Sequence, residues 1–315
     1  MGPEADPAGS PAGVECGLPV GVSGGAFPAP RLAPWLRRPR PSGAGGLETA
    51  SSLASLRLNT VCREARCPNR DECWDNHTAA FLMLGIVCTR NCRFCAVASG
   101  KPSVPDPEEP SRIADAVKRM SLSHAVITSV TRDDLADGGA GQFADCIREV
   151  RTRNPGVTVE VLTPDFQGSR KSIQTVLEGA PQVFNHNLET VERLSPLLRP
   201  QGGYHRSLEV LSMASESPGI MVKSGLMLGL GETDAEIRSS LAGLRSSGVT
   251  LLTIGQYLQP SPAQLPVARF VPPAEFNGWK EEAMHMGFRG VASSPFTRSS
   301  HMAGKMLDEA LHAGG

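Results

Sequence analysis

The sequence is poor in aromatic residues, in net charge and in long apolar runs. Phe, Trp and Tyr make up 5% of its 315 residues, and the formal net charge at pH 7 is -1. Proteins that bind nucleic acid through its phosphates carry an excess of basic residues, which this chain lacks. The longest apolar stretches, such as residues 80–87 and 225–230, are far too short to span a bilayer. We therefore expect no nucleic-acid partner and no membrane association.

The N-terminal residues fit neither a secretory signal nor an organelle transit peptide. No apolar stretch follows a basic start in residues 1–30, and Glu4, Asp6 and Glu15 are acidic, whereas transit peptides are poor in acids. The same residues are rich in Gly, Pro, Ala and Ser, so they cannot bury enough apolar surface to offset chain entropy. We expect a disordered tail over residues 1–30 and a cytoplasmic protein.

From Ala80 onward, strand-like apolar segments alternate with amphipathic helix-like segments. The predicted strands are residues 81–87, 125–130, 157–162, 183–187, 221–228 and 251–257, and the predicted helices between them are residues 113–120, 143–151, 171–177, 191–198 and 234–244. This alternation predicts a parallel sheet with right-handed crossovers. The number of repeats favours a partial or full β/α barrel, although periodicity cannot separate a barrel from a doubly wound sheet. Further predicted elements are a helix within residues 47–58, a helix at 275–286, a short strand at 290–292 and a final helix after residue 300.

Most of the cysteines are concentrated in one short segment. Six of the eight lie between Cys62 and Cys95, whereas Cys16 and Cys146 stand alone. A secreted disulfide scaffold is small and spreads its cysteines along the chain. Six thiols within one segment of a large chain therefore indicate metal ligands.

The second group of three cysteines follows the first predicted strand. Cys88, Cys92 and Cys95 are spaced C-x3-C-x2-C, and three such thiolates can hold a 4Fe–4S cluster whose full ligation needs four. The remaining iron is open to chelation by S-adenosylmethionine, whose reductive cleavage yields a radical. The alternative is a set of buried or zinc-binding cysteines, but zinc commonly takes C-x2-C pairs and no second pair is present. The motif resembles that of the radical S-adenosylmethionine superfamily, in which Phe94 matches an aromatic residue near the adenine.

The first group of three cysteines has a different spacing. Cys62, Cys67 and Cys73 are arranged C-x4-C-x5-C, which is unusual for zinc and again offers three thiolates. Two adjacent triads imply two 4Fe–4S clusters, each short of one protein thiolate. Taken alone, this triad fits a structural metal site as well as a functional one.

The order of the two triads and the sequence segments around them resemble those of the lipoyl synthase family. The matching segments span about residues 30–305 and include residues 60–69, 72–74, 127–130, 132–134, 163–166, 184–190, 225–232, 255–260 and 298–300. The resemblance implies a partial (β/α)6 TIM-type barrel over residues 80–270. It also implies an N-terminal extension over 31–79 that carries an auxiliary cluster, and a C-terminal segment over 271–315 that closes over that cluster.

The resemblance further assigns site residues. It implies that Ser300 is the fourth ligand of the auxiliary 4Fe–4S cluster, which is the sulfur source. A serine oxygen is a harder and weaker partner for iron than a thiolate. Without the motif, Ser299 and Ser300 fit better as N-caps of the last helix. The implied contacts to S-adenosylmethionine are Asn185, Asn187, Glu189, Gly225, Met227, Gly229 and Glu232. For these residues the alternatives are a polar strand end and a plain strand-to-helix turn.

The activity that the resemblance implies is insertion of two sulfur atoms, at carbons 6 and 8, into an octanoyl group on a lysine of a lipoyl-carrier domain. The implied partners are E2 subunits of 2-oxoacid dehydrogenases, the glycine-cleavage H protein, an electron donor such as ferredoxin or flavodoxin, and an iron–sulfur carrier protein. The alternatives are another radical enzyme with an auxiliary cluster and an iron–sulfur electron carrier. His301 and Met302 depart from the Tyr-His that is usual in the family, which affects the expected docking of substrate more than the chemistry.

Overall fold

The computed structural model describes residues 32–37, 45–75 and 78–312. The tail predicted to be disordered and Cys16 lie outside these residues. The strands are β1 (Asn59–Thr60), β2 (Ala80–Met83), β3 (Val87–Cys88), β4 (Ala98–Ser99), β5 (His124–Ser129), β6 (Thr158–Leu162), β7 (Val183–Asn185), β8 (Met221–Leu228), β9 (Leu251–Gln256) and β10 (Gly290–Ser294).

The helices alternate with the strands from β4 onward. They are α1 (Gly45–Ser55), α2 (Val61–Glu64), α3 (Arg70–Asp75), α4 (Glu109–Arg119), α5 (Ala140–Arg153), α6 (Arg170–Glu178), α7 (Ser195–Leu198), α8 (Tyr204–Ser215), α9 (Asp234–Ser246), α10 (Pro273–His285) and α11 (Ala303–His312). Short 3-10 helices occupy Pro34–Leu36, Phe166–Gly168 and Glu192–Leu194. In the part of the chain that the structure describes, no helix has both the length and the apolar character needed to cross a membrane.

One large sheet organises the described residues. Its strand order is β1-β2-β5-β6-β7-β8-β9-β10, in which β1 is antiparallel to β2 and every other neighbouring pair is parallel. All six predicted barrel strands are present, and the short strand predicted near the C-terminus joins them as β10 beside β9. The predicted partial TIM-type barrel is therefore confirmed, with a further parallel strand from the C-terminal segment.

The strands are buried because helices cover the sheet. Every residue of β2 and β9 is buried, which gives the near-continuous apolar runs typical of parallel strands. The covering helices bury one face each: Ile113 and Val117 of α4 and Ile147 and Val150 of α5 are at most 1% exposed. This packing holds the carboxyl ends of the strands in fixed positions, and in a β/α barrel those ends carry the functional loops.

The predicted strand over residues 81–87 ends earlier than expected. Leu84 and Gly85 have φ values of 67° and 93°, in the left-handed region, so the chain turns away after Met83. Beyond Ile86, Val87 and Cys88 form β3, which pairs with β4 and not with the large sheet. The amide of Gly100 also donates to the Cys88 carbonyl over 2.9 Å. This small sheet closes the base of the loop that carries the second cysteine triad.

The region between β7 and β8 also differs from the prediction. The helix predicted over residues 191–198 is a 3-10 turn followed by the four-residue α7, and a longer helix, α8, was not predicted. Ser207, Val210, Leu211 and Ala214 are buried at the i, i+3, i+4, i+7 spacing of an amphipathic helix. That spacing is the sequence signal by which α8 is recognisable.

Candidate active site

One cavity of about 510 Å³ gathers both cysteine triads. Its lining includes Cys62, Cys67, Cys73, Cys88, Cys92 and Cys95, together with Ser299 and Ser300. None of the seven cysteines in the described residues forms a disulfide. Six thiols facing one cavity are a soft donor set suited to iron–sulfur clusters.

The arrangement differs from that of a single-ion site. Among the residues that the structure describes, no three or more His, Cys, Asp or Glu side chains are grouped so that they could hold one metal ion. A 4Fe–4S cluster places fewer constraints of this kind, because its cysteine thiolates bind different irons. The donor set and its spread over the cavity therefore fit such clusters.

Backbone amides within and next to the loop from Cys88 to Cys95 donate to two of its sulfur atoms. Thr131 and Arg90 donate N–H to Cys88 Sγ over 3.3 and 3.4 Å, and Val97 donates to Cys95 Sγ over 3.4 Å. Hydrogen bonds to the sulfurs help to set the reduction potential of an iron–sulfur cluster. Burial raises the pKa of Cys92 to about 11 and that of Cys95 to about 12. Because only thiolates bind metal, these thiols release their protons when a cluster is bound.

Arg90, inside this loop, is anchored at two carboxylates. Its guanidinium lies 2.7 and 2.9 Å from the two oxygens of Asp133, and likewise 2.7 and 2.9 Å from those of Asp165. Burial opposes ionisation of Asp165, but the hydrogen bonds from Arg90 outweigh it and hold the pKa of that carboxyl well below its usual range. The cluster loop is thereby tied to the segments that follow β5 and β6. Arg90 was not predicted as a site residue. The signals available in the sequence were a basic residue between two of the motif cysteines and an aspartate beyond the ends of two successive strands.

The other triad is built on two short helices. Cys62 lies in α2, which the Thr60 hydroxyl caps by accepting the amide of Arg63, and Cys73 lies in α3. Burial raises the pKa of Cys62 to about 11. Backbone amides tighten the turn between them, since Cys67 donates to the Cys62 carbonyl over 3.1 Å.

The C-terminal segment approaches this triad. Asn69, which is fully buried, donates its Nδ2 to the Phe296 carbonyl over 2.7 Å. Gly255 of β9 makes room for the segment, because a Cβ there would overlap the Thr297 carbonyl oxygen. Ser300 lies in the cavity lining with the triad. Helix α11 begins at Ala303, so the cap position belongs to Met302 and the N-cap alternative for the two serines does not hold.

The residues predicted to contact S-adenosylmethionine divide into two groups. Five of them line the cavity: Phe94, Asn187, Glu189, Gly225 and Met227. The other three, Asn185, Gly229 and Glu232, lie outside the lining. Asn185 donates to Glu160 Oε1 over 3.1 Å, and Glu232 accepts the amides of Gly229 and Leu230 over 2.6 and 2.9 Å. Through these contacts the three residues support the wall of the cavity without being part of its lining.

Glu189 is the acidic group among the five. Its φ of 72° is rare for a residue with a side chain, and such conformations cluster at functional sites. Two backbone bonds maintain it, because Glu189 donates to the Gly225 carbonyl over 2.9 Å and accepts from the Met227 amide over 2.8 Å. Burial raises the pKa of this carboxyl, and Arg199 nearby opposes that rise. The result is a carboxyl group held in the cavity lining.

Comparison with known proteins assigns the class first. The model of the Radical SAM superfamily matches residues 83–242. Among solved structures, HydG, a maturase of the FeFe-hydrogenase, has a TM-score of 0.54 at 16% identity over 74% of this chain and 53% of its own. SuiB of Streptococcus suis, bound to the precursor peptide SuiA, has a TM-score of 0.52 at 10% identity over 76% of this chain and 49% of its own. The chain spans about half the length of these structures, and at such identities the likeness shows the fold alone.

Curated relatives narrow the class to a family. Lipoyl synthase of Rubrobacter xylanophilus is 54% identical over 277 residues, 88% of this chain and 86% of the relative. Lipoyl synthase of Chlorobaculum tepidum is 52% identical over 270 residues, 85% and 93% respectively, and that of Thermus thermophilus is 50% identical over 279 residues, 88% and 86%. The chain is a radical SAM protein and belongs to the lipoyl synthase family, and this membership implies S-adenosylmethionine and 4Fe–4S chemistry.

Proposed function

We propose that this protein inserts two sulfur atoms into the octanoyl group carried on a lysine of a lipoyl domain. The observation that carries the proposal is the shared cavity, into which both triads and Ser300 open. The C–H bonds of an octanoyl chain are not ionisable, so acid–base chemistry cannot activate them. When bound, the clusters and S-adenosylmethionine supply a hydrogen-abstracting radical and the sulfur atoms.

In this proposal Cys88, Cys92 and Cys95 hold the radical-generating 4Fe–4S cluster. Arg90 keeps their loop in place through its two aspartates. Asn187 and Glu189 form hydrogen bonds with the polar parts of S-adenosylmethionine. Asn185, Gly229 and Glu232 support that wall from behind.

Three further residues shape the space for S-adenosylmethionine. Phe94 and Met227 are partly buried against the main core and keep water from that side of the cavity. Gly225 leaves space that a Cβ would remove, because it would lie 2.7 Å from Thr253 Oγ1 and 2.8 Å from Asn187 Oδ1.

Cys62, Cys67, Cys73 and Ser300 hold the second, auxiliary 4Fe–4S cluster in this proposal. Two observations support it: Asn69 in the triad loop donates to the Phe296 carbonyl, and helix α11, which Ser300 would cap in the alternative interpretation, begins only at Ala303. A serine oxygen holds iron less firmly than thiolate does, which suits a cluster that gives up its sulfur. The auxiliary triad then belongs to an extension over residues 31–79, the barrel to 80–270 and the closing segment to 271–315.

The proposed partners follow from the substrate. They are the octanoylated E2 subunits of 2-oxoacid dehydrogenases and the glycine-cleavage H protein, with ferredoxin or flavodoxin as electron donor and an iron–sulfur carrier protein, all in the cytoplasm. An octanoyl chain is apolar, and Val61, Ala65, Leu82, Val97 and Leu226 provide apolar walls in the cavity. Such walls favour its entry by the hydrophobic effect.

The deciding experiment uses anaerobically reconstituted protein whose iron and sulfide are counted. It is incubated with reductant, S-adenosylmethionine and an octanoylated lipoyl domain, and the carrier is analysed by mass spectrometry. We expect the carrier to gain two sulfur atoms. Cleavage of S-adenosylmethionine without sulfur in the carrier would point to a different radical enzyme. No cleavage by the loaded, reduced protein would point to an electron carrier.

A further inference from the structure

Four polar side chains from adjacent strands β5 to β8 form a group: Glu160, Asn185 and Lys223, which are buried, and His124, which is partly buried. Lys223 Nζ lies 2.9 and 3.1 Å from the two carboxylate oxygens of Glu160, and both side chains are 1% exposed. Asn185 donates to Glu160 Oε1 over 3.1 Å, and His124 Nε2 lies 3.4 Å from Oε2. Burying an ion pair is costly, and apolar residues of similar volume are often at least as stabilising. Stability alone therefore does not account for the pair.

The ammonium also reaches out of this group, to the C-terminal segment. Lys223 Nζ donates to the backbone carbonyl of Ser299 over 2.7 Å. Three protons are available on an ammonium, and the two oxygens of Glu160 and the Ser299 carbonyl provide three acceptors. Helix α11 passes over the same group, because a Cβ on Gly304 would lie 3.0 Å from His124 Cβ.

We propose that Lys223 is a positioning residue for Ser300. Held by Glu160, its charge fixes the carbonyl of Ser299 and thereby directs the next residue toward the auxiliary triad. A hydrogen bond from an ionised donor is stronger than one between neutral groups, so this contact restrains the segment more than a neutral donor would. The inference rests on the proposed function in one respect, the role of Ser300 as a cluster ligand.

Other contacts also hold the same segment, and two of them come from groups that line the cavity. Asn69 binds the Phe296 carbonyl, and the Ser299 hydroxyl donates to Asn187 Oδ1 over 2.9 Å. Lys223 instead holds the segment from within a buried strand, away from the cavity lining. Its contribution is therefore measurable without changing a residue of the site.

The test variant is Lys223→Met combined with Glu160→Gln. It removes the donor to Ser299 and avoids an unpaired buried charge. The amide oxygen of the introduced glutamine still accepts the hydrogen bond from Asn185. Hydrogen–deuterium exchange is measured on the metal-free protein for a peptide covering residues 295–303. In that peptide the amides of Thr297 and His301 bond to the carbonyls of Ser294 and Arg298 over 3.1 and 3.0 Å.

We expect exchange in this peptide to be about 10- to 100-fold faster than in the wild type, the loss expected for one charged hydrogen bond. Peptides from β6 and β8 should exchange as in the wild type. After reconstitution, cleavage of S-adenosylmethionine should persist, whereas the Mössbauer signature of the auxiliary cluster should match that of Ser300→Ala. The matched control is Arg238→Met with Glu282→Gln, an exposed pair joined over 2.6 Å, which should leave the peptide unchanged.

Wild-type exchange at residues 295–303 in the folded double variant would overturn the proposal, as would faster exchange with an unaltered auxiliary signature. If the double variant does not fold, Lys223→Met with Glu160→Met replaces it. If neither folds, the pair serves the fold and not Ser300, which again overturns the proposal. Failure of the ligand assignment is distinguishable, because Ser300→Ala would then leave the auxiliary cluster unchanged whatever the metal-free exchange shows.

Discussion

Arg90 and Asp165 form a buried, two-bond ion pair, with Nη1 to Oδ2 at 2.9 Å and Nη2 to Oδ1 at 2.7 Å. The two side chains are 5% and 0% exposed. The pair joins the loop of one cysteine triad to the segment after β6. It therefore links the stability of the fold to the position of the thiols.

We expect Asp165→Asn to lower the free energy of unfolding of the metal-free protein by roughly 3 kcal/mol, because it leaves a buried guanidinium with one carboxylate partner in place of two. Urea unfolding at pH 7 measures the change. The control is Glu149→Gln, which breaks the exposed pair with Arg153 at 2.7 Å and should cost less than about 1 kcal/mol. Equal losses in the two variants would contradict the anchoring role of Arg90.

The buried His186 should make the metal-free protein sensitive to mild acid. Burial, assisted by the nearby Arg199, lowers the pKa of His186 to about 4. In the unfolded chain it titrates near its ordinary pKa of about 6.5, so the unfolded state binds the proton first. The free energy of unfolding is then unaffected by this group above pH ~6.5 and falls by up to roughly 3 kcal/mol on acidification to pH ~4.

Urea unfolding of the wild type and of His186→Gln at intervals from pH 7.5 to 4.5 measures this contribution. The difference between the two proteins should be constant above about pH 6.5 and should shrink steadily below it, since the variant carries no titrating imidazole. Parallel curves for the two proteins across the whole interval would show that His186 does not titrate as its burial indicates.

Replacing Cys88, Cys92 and Cys95 together by Ala should leave one cluster and stop all cleavage of S-adenosylmethionine. The variant should bind about four irons per chain, the content of one 4Fe–4S cluster. Iron and sulfide counts and chromatography of the cleavage products provide the measurement. Cleavage that persists in this variant would remove the radical role from this triad.

Replacing Cys62, Cys67 and Cys73 by Ala should have the complementary effect. Reductive cleavage should continue, because the other triad is intact, whereas no lipoyl product should form, because the proposed sulfur source is lost. Mass spectrometry of the octanoyl carrier checks the product. Lipoyl formation by this variant would make the auxiliary triad structural.

Ser300→Ala should impair sulfur transfer while the fold and the radical cluster survive. Its control is Ser299→Ala, which loses the hydroxyl bonded to Asn187 but keeps the backbone carbonyl that Lys223 holds. We expect the Mössbauer spectrum of the auxiliary cluster to change in Ser300→Ala and to be retained in Ser299→Ala. An unchanged auxiliary spectrum in Ser300→Ala, together with full sulfur transfer, would exclude Ser300 as a ligand.

The two cysteine triads, the alternation of strands and helices, and the family can all be recognised from the order of the amino acids. Such features are local, because metal-ligand spacing and the apolar period of an element can be recognised within a few turns of chain. The early end of β2 was within reach of the same reasoning, since Gly85 permits the left-handed turn there. Helix α8 was likewise recognisable from the helical spacing of residues such as Val210, Leu211 and Ala214.

Which buried polar groups contact one another depends on the tertiary structure. Arg90 and Asp165 are 75 residues apart, Glu160 and Lys223 are 63 apart, and Asn69 and Phe296 are 227 apart. Within one strand, a buried Glu or Lys is only an interruption of the apolar pattern. Its partner depends on the register of parallel strands, which are connected through helices, and on where the C-terminal segment packs. Periodicity within one element contains no information about either.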